Sequence, residues 1–132
     1  MADRAHPQKH ILIVEDEESL ANALQTKFVK EGYRASIARD GVEGLEKATT
    51  THPDIVVVDL IMPKMSGMEM MTALRKDPWG KDVPLVVLTN LSVDSGDLIR
   101  GVVKVKPTYY LVKSDWGLGE IVEKVNSIVQ KP

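Results

Sequence analysis

The sequence predicts an α/β protein built on a doubly wound, five-stranded parallel sheet. Three observations carry that prediction. Short apolar runs alternate with longer amphipathic stretches along most of the chain, a pattern that gives a parallel sheet with helices on both faces. Two of the runs, "DIVVVDL" and "PLVVLTN", lack polar–apolar alternation, as strands do when both faces are covered. The chain has 132 residues, which fits one domain and leaves little room for a second.

The elements run in order from the N-terminus. Residues 1–9 read as a flexible arm and 10–130 as the folded domain. "HILIVED" (10–16) is a short apolar strand that ends in acids. "EESLANALQTKFVKEG" repeats Leu20, Leu24 and Phe28 every four positions, giving a helix with one apolar face that Gly32 closes. "YRASIA" (33–38) alternates like a half-buried strand. Asp40 is placed to cap a second helix, with Val42, Leu45 and Ala48 on its apolar face. Residues 55–58 are the third strand. Ser66 caps a third helix that turns Met68, Met71 and Leu74 to one side and stops at Pro78. "PLVVLTN" is the fourth strand.

"SVDSGDLIRGVVKVK" (92–106) is ambiguous. Leu98, Ile99 and Val102 fit a helix, whereas "VVKVK" alternates like a strand and is poor in helix formers. It reads as a short, weakly held helix. "TYYLVKS" (108–114) is the last strand. "WGLGEIVEKVNSIVQ" is a closing helix with Ile121, Val122, Val125, Ile128 and Val129 as its apolar face. Right-handed crossovers favour strand order 2-1-3-4-5, with a functional crevice beyond the carboxyl ends of the strands.

Composition narrows the function classes. An apolar share of 43% and a charged share of 27% are ordinary for a globular protein. A net charge of -2 points to neither a nucleic-acid nor a membrane surface. The absence of cysteine excludes disulfides and thiolate metal sites. "MADRAHPQKH" is not a secretory signal, and no apolar run is long enough to span a membrane. A cytoplasmic location is expected.

The residues at the strand ends are expected to face one crevice. Strand one ends in Glu15 and Asp16, strand three in Asp59, strand four in Thr89 and strand five in Lys113. Carboxylates brought together repel one another unless a cation joins them. All-oxygen ligands suit Mg²⁺, and the lack of histidine in the set argues against zinc. A carboxylate can attack phosphorus to give an acyl phosphate, and a metal with a lysine would spread the charge of the transferring group. Lys113 could pair with Asp59 or with a phosphoryl oxygen, and Thr89 could hydrogen-bond to the group. Each residue also has a plain structural reading. Glu15 and Asp16 could start the first helix, Asp59 could be a turn residue, Thr89 a cap, and Lys113 a solvated strand end. Only their convergence on one sheet edge favours chemistry.

These residues resemble a known family, the receiver domain of bacterial response regulators in two-component signalling. The resemblance rests on "VED" (14–16), "DLIMPKMSG" (59–67), "LT" (88–89) and "YLVK" (110–113), in that order. It implies a (βα)5, flavodoxin-like fold. It also implies that Asp59 accepts a phosphoryl group from a phosphohistidine on a sensor histidine kinase or phosphotransfer protein. Glu15, Asp16, Asp59 and the backbone carbonyl of Ile61 would hold Mg²⁺. Thr89 and Lys113 would contact the phosphoryl group, and Tyr110 would be the switch aromatic. The surface of the fourth helix, fifth strand and fifth helix would then change its preference for a downstream target. Such a domain is expected not to be an enzyme and to bind neither nucleic acid nor membrane directly.

The sequence departs from the family in three places. Ser114 stands where proline usually follows the lysine. A cis bond before a non-proline costs about 2.5–4 kcal/mol, so the usual placement of Lys113 comes into question. Asn90 replaces the small residue after the threonine, and Lys106 and Pro107 occupy the stretch where a glycine is usual. Ile61 and Leu91 are apolar at positions that, in the family, flank the path of the hydrolytic water, so a slowly hydrolysing phosphorylated state is expected.

Three rival functions compete with the receiver. A haloacid-dehalogenase-like phosphatase needs a second acid two residues after its nucleophile, and this chain has Ile61 there. A flavin-binding module needs a Ser/Thr/Gly-rich phosphate loop, whereas "EDEES" is acidic. A degenerate receiver acting as a phosphorylation-independent interaction module is the main alternative, kept open by Ser114 and Asn90. No output domain is expected within the chain, so a stand-alone receiver and one domain of a longer regulator both remain open. Tyr109, Tyr110 and residues 102–106 are candidate docking residues, or else ordinary core beside a solvated lysine edge.

Overall fold

A computed structural model describes residues 8–60, 62, 64–89, 107 and 109–129. Within them run β1 (His10–Val14), α1 (Glu18–Lys30), β2 (Arg34–Ala38), α2 (Gly41–Thr51), β3 (Ile55–Val58), α3 (Gly67–Lys76), β4 (Leu85–Thr89), β5 (Tyr109–Val112) and a closing helix α4 (Leu118–Val129). The strands form one parallel sheet in the order β2-β1-β3-β4-β5. This is the doubly wound order expected from the sequence. The expected helix over 92–106, residues 1–7 of the expected arm over 1–9, and residues 61, 63, 90 and 91 lie outside the described residues.

The missing alternation in the central strands has a direct cause. Leu12, Val14, Val56, Val58, Leu85 and Val87 point to one face, where they meet Ala48 of α2 and Met70, Met71 and Leu74 of α3. Ile11, Ile13, Ile55, Val57, Val86 and Leu88 point to the other, against Leu24 and Phe28 of α1 and Ile121, Val122 and Val125 of α4. Successive side chains alternate between faces, and both faces are apolar because both are roofed.

Local signals act as expected at the helix ends. The Asp40 side chain accepts from Glu43 N, and Ser66 and Glu69 form a reciprocal capping box. Gly32 turns the chain after α1 at φ 99°, a left-handed conformation that glycine adopts freely. Three details differ from expectation. Val42 is 52% exposed, and α2 instead approaches the core on Gly41, Gly44 and Ala48. A Cβ on Gly44 would come within 2.9 Å of Met70 Sδ and Val14 Cγ1, so only a bare backbone packs this closely. In α3, Met70 is fully buried and Met68 only half-buried. The last strand ends at Val112, and Lys113–Asp115 form a 3₁₀ turn.

Candidate functional site

The sheet ladder continues past the strand ends and fixes the acids beyond them. Glu15 N donates to Ala38 O at 2.9 Å, and Asp59 N donates to Val14 O at 3.0 Å. Glu15 and Asp59 are thereby held side by side at the carboxyl edge, both buried, while Asp16 is exposed. One carboxylate oxygen each from Glu15, Asp16 and Asp59 lies within 4.8 Å of the others. Thr89 is buried at the end of neighbouring β4, in register with Val112.

Lys113 enters from the edge of β5. Its Nζ lies 2.8 Å from Glu15 Oε1 and 3.2 Å from Asp59 Oδ2. No peptide bond among the described residues is cis. The Lys113–Ser114 bond is therefore trans, and the ammonium still reaches both acids. Glu15 Oε2 also accepts from Glu17 N at 3.0 Å. Burial pushes the Glu15 carboxyl above the ordinary glutamate range, against the pull of Lys113 and the Glu17 N–H. Burial alone would lower the Lys113 ammonium. Its bonds and charges with Glu15 and Asp59 outweigh that and raise it. The two shifts share one cause, a partly desolvated pair in which burial prevails at the acid and pairing at the base.

The donor set suits a hard divalent cation. It offers carboxylate oxygens alone, as Mg²⁺ prefers. Three carboxylates against one ammonium leave two negative charges when all are ionised. His10 lies at the opposite end of β1, so no imidazole from that strand joins the group.

Glu15, Asp16, Asp59 and Lys113 are thus brought together, Thr89 ends the neighbouring strand, and Ile61 lies outside the described residues. Lys113 makes its shorter contact with Glu15 rather than Asp59, a pairing that strand-end spacing does not encode. Tyr110 sits in β5, in register with Val87, half-buried against the α2/α3 side of the core, where burial raises its phenol pKa. Gly67 packs closely on the site. Its N–H donates to Leu60 O at 2.9 Å, and a Cβ there would overlap the Asp59 carbonyl oxygen.

Residues 11–126 match the response regulator receiver domain. The chain belongs to that family. Among sequence relatives, "Probable transcriptional regulator ycf27" of Porphyridium aerugineum is 35% identical over 94% of this chain and 49% of its own length. "Response regulator ArlR" of Staphylococcus aureus is 30% identical over 92% of this chain and 52% of its own. The chain spans about half the length of these curated relatives. Among solved structures, Vibrio cholerae chemotaxis protein CheY4 superposes with a TM-score of 0.83 at 26% identity, covering 92% of this receiver and 99% of CheY4. The response regulator TrrA of Thermotoga maritima, solved in complex with Mg(2+)-BeF, gives 0.78 at 33% identity, with 92% and 99% covered. Among the described residues of this receiver domain, no helix is long and apolar enough to cross a membrane.

Proposed function

We propose that this receiver domain takes a phosphoryl group from a phosphohistidine on a histidine kinase or phosphotransfer protein onto Asp59. The observation that carries the reading is the meeting of three carboxylates within 4.8 Å, with the Lys113 ammonium 3.2 Å from Asp59. An Asp59 carboxylate oxygen forms the new bond to phosphorus. The phosphorus–nitrogen bond breaks, and its electron pair stays on the departing imidazole. Glu15, Asp16, Asp59 and the main-chain carbonyl of Ile61 would hold Mg²⁺, which when bound offsets charge on the phosphoryl oxygens. Lys113 contacts a phosphoryl oxygen, and the Thr89 hydroxyl donates to another. Residues 10–130 form the signalling domain and 1–9 an arm, working in the cytoplasm.

Phosphorylation then acts as a ligand for one of two states. Thr89 moves toward the new phosphoryl group and Tyr110 turns inward. The surface of residues 92–106, β5 and α4 changes its preference for a target protein or for an output domain outside this chain. The Ser114 departure favours the phosphorylation-independent alternative, but the reach of Lys113 to Asp59 across a trans peptide weighs against it.

Incubation with Mg²⁺ and acetyl phosphate tests the reading. A mass gain of one phosphoryl group is expected, acid-stable and base-labile, absent in Asp59→Asn and absent with chelator. No gain, or a gain that persists in Asp59→Asn, would overturn it.

A further inference from the structure

We infer that Gly41, in the first turn of α2 and outside the acid group, is a positioning residue for phosphotransfer, pinning the β3–α3 loop from the side. The inference rests on the phosphotransfer reading above. That loop leaves β3 at Asp59 and re-enters α3 at Gly67. Its ends are fixed: Asp59 N bonds Val14 O, Gly67 N bonds Leu60 O, and the Ser66–Glu69 capping box locks the start of α3. Between them, Lys64 and Met65 are held by a different element. Gly41 N donates to Met65 O at 2.9 Å. Beside it, the Asp40 carboxylate faces Lys64 Nζ at 3.5 Å. Lys64 has φ 66°, a left-handed conformation that persists in a lysine only when its surroundings impose it.

The contact leaves no slack. A Cβ on Gly41 would overlap the Met65 carbonyl oxygen and stand 2.8 Å from Met65 Cβ. Backbone cannot swing aside as a side-chain tip can, so the loop would have to move by about 1 Å to restore van der Waals contact. Gly67 N is bonded to Leu60 O, so that displacement is passed to Leu60, the residue next to Asp59. A misplacement of about 1 Å, introduced away from the chemistry, can slow a positioned reaction about 100-fold. Gly41 therefore carries a geometric constraint for the site as well as a packing role in α2.

The test compares Gly41→Ala, Lys64→Gly and Gly80→Ala with the wild-type chain, using Mg²⁺ and acetyl phosphate as the probes. Gly80 is the control: a Cβ there would overlap Leu74 O, a similar clash in the turn at the far end of α3. At a temperature where all melt later, Gly41→Ala should phosphorylate about 100-fold more slowly, with a raised Mg²⁺ concentration for half-maximal rate. Lys64→Gly should slow several-fold, and Gly80→Ala should stay within twofold on both readouts. Gly41→Ala within twofold of wild type, or Gly80→Ala as impaired as Gly41→Ala, would overturn the inference. If Gly41→Ala does not fold, Lys64→Gly decides, and a rate within twofold of wild type counts against pinning. A wild-type chain that takes no phosphoryl group instead sinks the parent reading, and this inference with it.

Discussion

Lys113 stands closer to Glu15 than to Asp59, at 2.8 Å against 3.2 Å. Glu15 is 3% exposed, and a buried carboxylate needs a cation or a proton. The ammonium supplies the cation whenever no divalent ion does. Replacing it strands the acid. Lys113→Met should lower unfolding free energy by about 3 kcal/mol in chelator, as when one partner of a buried pair is removed. The loss should shrink in millimolar Mg²⁺. Urea unfolding with and without Mg²⁺ checks this, and equal losses in both conditions would remove the counter-charge role.

Much of this arrangement was legible in the sequence. The ends of "HILIVED" and "DIVVVDL" mark where apolar runs stop, and in a parallel sheet strand ends share an edge, so Glu15 and Asp59 could be placed together. Asp40 and Ser66 declared their caps through residue type alone. The misplaced face of α2 has a different origin. Gly41 and Gly44 carry no hydrophobic signal, and what buries them is the nearness of Met65 and Met70, which no local window contains. The Glu15–Lys113 pair and the Gly41–Met65 contact join segments far apart in the chain, so only the folded sheet brings them within reach.

Tyr33 joins α1, β2 and α4. Its hydroxyl donates to Asn126 Oδ1 at 2.5 Å, and its ring packs edge-on against Phe28 at 5.2 Å. Tyr33→Phe keeps the ring and loses the bond, which should cost about 1 kcal/mol. Burial, with the Glu31 charge adding to it, pushes the phenol from 10.0 to about 12. The unfolded chain releases that proton first. The Tyr33 contribution is therefore whole below pH 10 and is lost as pH rises through about 12. Between those limits Tyr33→Phe should lose stability less steeply than wild type, measured as denaturation midpoints across the range. Parallel slopes would rule the phenol out as the group responsible.

His10 titrates at the opposite edge of the sheet. Its Nδ1 faces Arg34 Nη2 at 3.2 Å and its Nε2 lies 2.9 Å from Ser36 Oγ, while its backbone N–H donates to Asp54 Oδ2 at 2.7 Å. Arginine can only donate, so Nδ1 accepts and the ring is neutral with its proton on Nε2. Burial and the Arg34 charge lower the His10 pKa, and Asp54 opposes them. The unfolded histidine takes up its proton near pH 6.5. Stability from this site is thus present above that value and is lost as pH falls toward the lower folded pKa. His10→Gln removes the titration. Its melting temperature should fall less than that of wild type between about pH 7.5 and 5.5, and an equal fall would refute the assignment.

The expected lifetime of the proposed phospho-Asp59 follows from the residue type two positions after it in the sequence. An acyl phosphate decays when water attacks it, and a side chain able to accept or donate a hydrogen bond can hold that water in line. Ile61 offers no such group, so the proposed phospho-Asp59 should decay slowly. Ile61→Asn restores a polar amide at that position. It should speed decay about tenfold, less than the 10²–10⁴ of a positioned acid or base, because an amide orients water without taking its proton. The measurement is the loss of the phosphoryl mass from wild type and variant after the phosphodonor is removed, with Mg²⁺ held constant. Equal decay would mean that water reaches the phosphorus by a path Ile61 does not govern, and the slow-hydrolysis expectation would fall with it.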